Sequence, residues 1–143
     1  MKKFRVLVVD DMLFIRETVK QSLEKIFPNV EADSAPNGAE AKRKIEIYCP
    51  DLIICDWEMP DIKGNELLRW LREHPIFNSR PFIMLTANGE KESIEEARDL
   101  GVTDYIVKPL TIDVLKSAVG HHRPIRTNMR LSECGNSKPR PSF

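Results

Sequence analysis

Short apolar runs alternate with longer stretches of helical spacing along most of this chain. The first run, Phe4–Val9, is rich in β-branched residues and predicts a strand. From Met12 to Ile26 the apolar residues Ile15, Val19, Leu23 and Ile26 recur every three or four positions, the signature of one helix face. Pro28 follows its end. Val30–Ala35 predicts a second, weaker strand near a sheet edge. Asn37-Gly38 is a turn into a helix over Ala39–Ile47, which Pro50 breaks. Leu52–Cys55 is apolar throughout, so the strand predicted over Asp51–Cys55 is covered on both faces. A third helix follows Gly64 and carries Leu67, Leu68 and Leu71. Phe82–Leu85 predicts a strand, and Lys91–Leu100 a helix closed by Gly101, a good residue just past a helix end. Tyr105–Val107 predicts the last strand. Thr111 is an N-cap candidate for a helix to about Val119, with Gly120 as its stop. Strand and helix alternate throughout, so the fold class is α/β, a doubly wound five-stranded parallel sheet.

The pattern stops there. Residues 1–120 read as one domain. Residues 121–143 hold three prolines and scattered polar positions without periodicity, and are expected to form a tail or linker without fixed structure. That segment carries Arg123, Arg126, Arg130, Lys138 and Arg140 against Glu133 alone, a net of +4, which leaves −4 on the rest because the whole chain balances 22 basic with 22 acidic residues. The overall balance argues against a nucleic-acid or membrane partner. VLVV is shorter than a signal-peptide core of about 7–15 residues. No run approaches the roughly 18 apolar residues of a membrane span. Three cysteines cannot all pair internally, and their spacings fit no zinc pattern. Cys55, inside an apolar run, is expected to be a buried reduced thiol. The expected location is a reducing cytoplasm.

Polar residues stand where the apolar runs stop. VLVV ends at Asp10-Asp11, LIIC at Asp56, FIML at Thr86 and DYIV at Lys108-Pro109. In an open parallel sheet the strand C-termini share one edge, and ligands bind outside it. These residues are therefore expected to converge. Each has a bland reading alone. Aspartate favours helix N-termini, threonine is a good strand residue, and a lysine at a strand end is usually solvated. Together they gather three carboxylates, one hydroxyl and one ammonium, which suits a divalent cation and a phosphoryl group. Adjacent carboxylates repel unless a cation relieves them. Magnesium needs only one or two carboxylates plus a phosphate. Asp56 is a cap, a ligand or a nucleophile, and carboxylate nucleophiles do form acyl-phosphates. Met59-Pro60 shapes the loop after it, Gly64 frees the backbone before the next helix, and Lys108-Pro109 is a candidate cis bond.

In this order, Asp10-Asp11, Asp56-x-x-Met59-Pro60-x-x-x-Gly64, Thr86-Ala87, Tyr105 and Lys108-Pro109 resemble the receiver domain of two-component response regulators, nearest in plan to the single-domain chemotaxis regulators. The resemblance covers about Lys3 to Val119. It implies the flavodoxin-like strand order 2-1-3-4-5, a known property of that family that hydrophobic patterning does not yield. It also implies that Asp56 accepts a phosphoryl group from a sensor histidine kinase, a phosphotransfer protein or a small donor such as acetyl phosphate. Asp11, Asp56 and the backbone carbonyl of Glu58 would hold Mg2+ directly, and Asp10 through water. Lys108 would pair with Asp56 and then with the phosphoryl group. Thr86 would move toward the phosphoryl oxygens and Tyr105 would turn inward behind it. The surface of the fourth helix, fifth strand and fifth helix would then change its affinity for a downstream protein.

Such a protein is not an enzyme beyond its own phosphorylation and dephosphorylation. Two alternatives remain: a degenerate receiver acting as an unphosphorylated interaction domain, and an aspartyl-phosphate phosphohydrolase. The second would want an Asp-x-Asp pair with its nucleophile on the first strand and a lid, and neither is apparent. Two features depart from the best-known chemotaxis regulators. Glu58 and Asn88, which in this family border the path of the hydrolytic water, resemble a swapped acid and amide. The fifth helix reads short, with His121 and His122 as exposed residues at its C-terminus. No helix-turn-helix or kinase segment is present, so no DNA-reading or catalytic output is expected from this chain.

Overall fold

The computed structural model describes residues 3–87 and 91–121, with only the backbone for 91–93. Ten elements alternate along the chain: β1 (Phe4–Val9), α1 (Leu13–Ile26), β2 (Val30–Ala35), α2 (Gly38–Tyr48), β3 (Leu52–Asp56), α3 (Gly64–Arg72), β4 (Phe82–Thr86), α4 (Lys91–Asp99), β5 (Asp104–Val107) and α5 (Ile112–His121). The strands form one parallel sheet in the order β2-β1-β3-β4-β5. This is the doubly wound fold expected above, in the order the family resemblance implies.

Alternation of side chains along each strand divides the core between the two faces. Leu7, Val9, Ile53, Cys55, Phe82 and Met84 face α2, α3 and α4, where they meet Ile45, Leu67, Leu68 and Leu71. Val6, Val8, Leu52, Ile54, Ile83 and Leu85 face α1 and α5, against Val19, Leu23, Leu115 and Val119. β3 and β4 are buried along their whole length, which explains their unbroken apolar runs. β2 is an edge strand with half-buried residues at four central positions.

Long-range polar contacts fix the loops. The Asp61 carboxylate accepts the backbone N–H groups of Gly38 and Ala39 at 2.9 Å each, capping α2 from the β3–α3 loop. Arg72, at the end of α3, donates to the carbonyls of Asn78, Arg80 and Gly101 at 3.1, 2.7 and 2.6 Å. Gly101 adopts φ of +87°, the left-handed region that favours glycine.

Most element ends fall within one residue of the expected ones. The Thr111 hydroxyl does cap α5, accepting the Val114 N–H at 3.1 Å. Gly120 does not stop the helix, which continues to His121. Ala118 and Val119 are buried in that last turn, and their packing outweighs the penalty of about 1 kcal/mol for a helical glycine. Cys55 is free and buried, as expected. Cys49 is the left-handed C-cap of α2, its N–H donating to the Ile45 carbonyl at 3.1 Å. The tail beyond His121, including His122, lies outside the described residues.

Candidate functional site

Strand register brings the strand ends together. Asp56 is the last residue of β3 and pairs with Leu85 of β4. Thr86 ends β4 and pairs with Val107 of β5. The Lys108 N–H donates to the Thr86 carbonyl at 2.8 Å, so the ladder carries Lys108 one step past β5. On the other side of β3, Asp10 continues β1, its N–H donating to the Ala35 carbonyl at 3.1 Å.

The side chains then converge. The Lys108 Nζ lies 3.2 Å from Asp56 Oδ1 and 3.4 Å from Asp10 Oδ2. Asp10 is fully buried, and its second oxygen accepts the Met12 N–H at 2.9 Å. Asp11 is exposed at the mouth. One carboxylate oxygen from each of Asp10, Asp11 and Asp56 falls within 4.8 Å of the others, close enough to share a cation. Thr86 is buried at the end of its strand.

Burial raises the Asp56 carboxyl above its ordinary value, and the Asp10 charge adds to this. The Lys108 ammonium and the backbone N–H of Glu58 oppose the rise without cancelling it. For Lys108, partial burial favours the neutral amine, but Asp56 and Asp10 outweigh it and hold the ammonium above its usual value. Among the described residues the site thus concentrates more negative than positive charge, three carboxylates around the Lys108 ammonium. A divalent metal ion and an anionic phosphoryl group would together suit that imbalance.

The loop after Asp56 is held close. The Trp57 N–H donates to the Leu85 carbonyl and the Gly64 N–H to the Trp57 carbonyl, both at 2.8 Å. A Cβ on Gly64 would lie 2.6 Å from the Asp56 carbonyl oxygen and 2.8 Å from the Met84 sulfur. Close backbone approach, as much as conformational freedom, requires glycine there. The Lys108-Pro109 bond is cis.

Other expected residues are less central. The Glu58 side chain is exposed and pairs with Lys63 at 3.4 Å. Tyr105 is 36% exposed, on the outer surface of β5. Asn88 lies outside the described residues. Arg16 was not anticipated: its guanidinium donates to the Asp10 carbonyl at 2.8 Å. Nor was the rim of exposed apolar side chains, Met12, Leu13 and Phe14, the last 74% exposed. Adjacency to the acidic pair was the only available sequence signal for either.

Comparison with known proteins agrees with this architecture. The response regulator receiver domain model matches residues 6–120. Chemotaxis protein CheY-3 of Vibrio cholerae is 36% identical over 116 residues, covering 80% of this chain and 88% of that protein. The phosphate regulon transcriptional regulatory protein PhoB of Rhizobium meliloti is 35% identical over 115 residues, and the match spans only 50% of its length. Among solved structures, chemotaxis response regulator CheY4 of Vibrio cholerae superposes with a TM-score of 0.78 at 30% identity, covering 84% of this chain and 98% of that one. The receiver domain of Francisella response regulator 1452 gives 0.75 at 33% identity, covering 83% and 95%. With its strand order, its converging acids and lysine, and these relatives, the chain belongs to the response regulator receiver domain family.

Proposed function

We propose that this receiver domain is a phosphorylation-dependent signalling switch, with Asp56 as the phosphoacceptor. The observation that carries the reading is the placement of Lys108, whose ammonium contacts both Asp56 and the buried Asp10. Asp11, Asp56 and the Glu58 carbonyl would hold Mg2+, with Asp10 reaching it through water. When bound, the ion would neutralise charge on the acceptor and on the incoming phosphoryl group.

Asp56 attacks phosphorus through a carboxylate oxygen. A new P–O bond forms while the P–N bond of a phosphohistidine, or the P–O bond of acetyl phosphate, breaks. The imidazole leaves with a proton from solvent, or acetate leaves as the anion. Lys108 holds the acceptor and stabilises the transferred oxygens as a point charge. Thr86 lies at the next strand end to hydrogen-bond them, and Tyr105 would turn inward as it moves. The domain turns over no other substrate.

The partners on this reading are a sensor histidine kinase or phosphotransfer protein and a downstream protein. Met12, Leu13 and Phe14 form an exposed apolar rim beside the acceptor, suited to contact with the donor. The downstream protein would bind the α4–β5–α5 surface. No helix among the described residues is long and apolar enough to cross a membrane, which accords with action in the cytoplasm.

Intact mass after incubation with Mg2+ and acetyl phosphate tests the proposal. One added phosphate is expected, none after Asp56→Asn or on chelation. Full labelling of that variant would remove Asp56 from its role. No labelling of the wild type would favour an unphosphorylated interaction domain.

A further inference from the structure

Hydrogen bonds fix the main chain between β1 and α1. The Asp10 N–H donates to the Ala35 carbonyl at 3.1 Å, and the Met12 N–H to Asp10 Oδ1 at 2.9 Å. Another comes from a side chain: the Arg16 guanidinium donates to the Asp10 carbonyl at 2.8 Å. That carbonyl belongs to the planar peptide unit joining Asp10 to Asp11, so Arg16 sets the plane from which Asp11 departs. The Asp10 carboxylate is held separately, by the Met12 N–H and the Lys108 ammonium. Of the three acids whose oxygens come within 4.8 Å of one another, Asp11 is the exposed one.

Helix chemistry disfavours a cation at this position. Arg16 is the fourth residue of α1, whose first turn holds no acidic residue and whose N-cap, Met12, makes no side-chain hydrogen bond. A positive charge near a helix N-terminus opposes the macrodipole. Residues that break a local rule in this way are expected at functional sites. The half-buried side chain turns back across the first turn to the strand end. There its charge strengthens the bond to the carbonyl beyond what a neutral donor would give.

Charge and geometry lead to different consequences. As a cation near the carboxylates, Arg16 opposes any divalent ion, small or large alike. As a clamp on the peptide, it matters most to an ion with strict geometry. Magnesium demands near-ideal octahedral coordination at about 2.0–2.1 Å, whereas calcium accepts flexible arrangements at about 2.3–2.6 Å. We propose that Arg16 is a positioning residue: it presets the Asp10–Asp11 peptide for a small octahedral cation and so favours magnesium over calcium at the acidic cluster. The role rests on the magnesium site proposed above.

The test is a pair of separate titrations, of MgCl2 and of CaCl2, into the full 15N-labelled chain without phosphodonor at fixed ionic strength. The amide resonances of Met12 and Trp57, next to Asp11 and Asp56, follow binding. Arg16→Met should raise the magnesium Kd about tenfold, the lower end of the cost of losing a residue that supports metal ligands. The calcium Kd should rise much less. Arg16→Lys, which keeps the charge and a donor, should recover part of the preference for magnesium. Resonances of β3 and β4 that stay in place in metal-free buffer report an intact fold. Arg16→Gln, too short to reach the carbonyl, replaces Arg16→Met if that variant does not fold. Equal weakening of both ions, or none, would overturn the proposal and leave the magnesium site standing. Tighter binding of both would reduce Arg16 to a repelling charge and overturn it equally. A wild type that binds neither ion would overturn the proposal together with the site.

Discussion

The ammonium of Lys108 lies 3.2 Å from the Asp56 carboxylate although 52 residues separate them in the chain. The same ammonium lies 3.4 Å from Asp10, 98 residues away. One cation thus ties the ends of β1 and β3 to the residue following β5. Lys108→Met removes it and leaves two buried carboxylates facing each other. Stability at neutral pH in EDTA should fall by about 1–3 kcal/mol, less than for a fully buried pair because Lys108 is partly exposed. The loss should shrink in acid as the Asp56 carboxyl, raised above its ordinary value, protonates. Urea melts at several pH values measure this, and a variant as stable as wild type at pH 7 would contradict it.

Asp56 should carry a stability cost. Burial and Asp10 raise its carboxyl above the ordinary range. A group raised in the folded state contributes stability below its unfolded value and loses it as pH rises through the folded value. At neutral pH the ionised carboxylate is therefore a net penalty. In metal-free buffer, Asp56→Asn should be more stable than wild type by roughly 0.5–2 kcal/mol. The advantage should disappear below the carboxylate range. Thermal melts at pH 7 and at about pH 3 distinguish this from a general packing effect.

Asp61 should show the opposite dependence. Burial acts to raise its carboxyl, but the N–H groups of Gly38, Ala39 and Ile62 prevail and hold it below its usual value. Its contribution is present above the unfolded carboxylate range and lost as pH falls through the folded value. Asp61→Ala should cost about 1 kcal/mol at pH 7, the usual worth of a helix cap. The gap between variant and wild type should close in acid. A gap that does not narrow at low pH would show that the cap works through packing instead.

Gly64→Ala should damage the site from outside it. The added methyl group meets the Asp56 carbonyl at 2.6 Å and the Trp57 Cα at 3.1 Å, and both are backbone atoms that cannot turn aside. Overpacking of this kind costs about 1–3 kcal/mol. Displacing the Asp56 backbone should also slow labelling by acetyl phosphate. A variant with wild-type stability and labelling rate would show that the loop shifts freely.

Strand ends were legible in the sequence because each apolar run stops abruptly at a polar residue. The two-residue period of β1 places Val6 and Leu7 on opposite faces, and the chemistry collects at one edge for the same topological reason. The contacts that lock the loops were not legible. Asp61 reaches Gly38 across 23 residues and Arg72 reaches Gly101 across 29. Such pairs depend on how loops fold over the sheet, which no local period encodes. Gly120 misled because its helical cost is local while the burial of Val119 beside it is tertiary. Tyr105 was identifiable by its place on β5, but its outward ring required coordinates.

Glu58 and Lys63 bear on how long the proposed phosphoryl group would last. Glu58, two residues after Asp56, is where family resemblance places a side chain beside the hydrolytic water. A carboxylate there repels a hydroxide-like nucleophile. Lys63 lies 3.4 Å from that carboxylate and offsets part of its charge. Both side chains are more than half exposed, so the pair is worth about 0.5 kcal/mol, which converts to roughly a twofold change in rate. Lys63→Ala should therefore slow phosphate release from the labelled protein about twofold, and Glu58→Gln should speed it. Phosphate release followed after removal of the donor reads all three. Faster release from Lys63→Ala would reverse the sign assigned to Glu58, and equal rates would place its carboxylate too far from the water to matter.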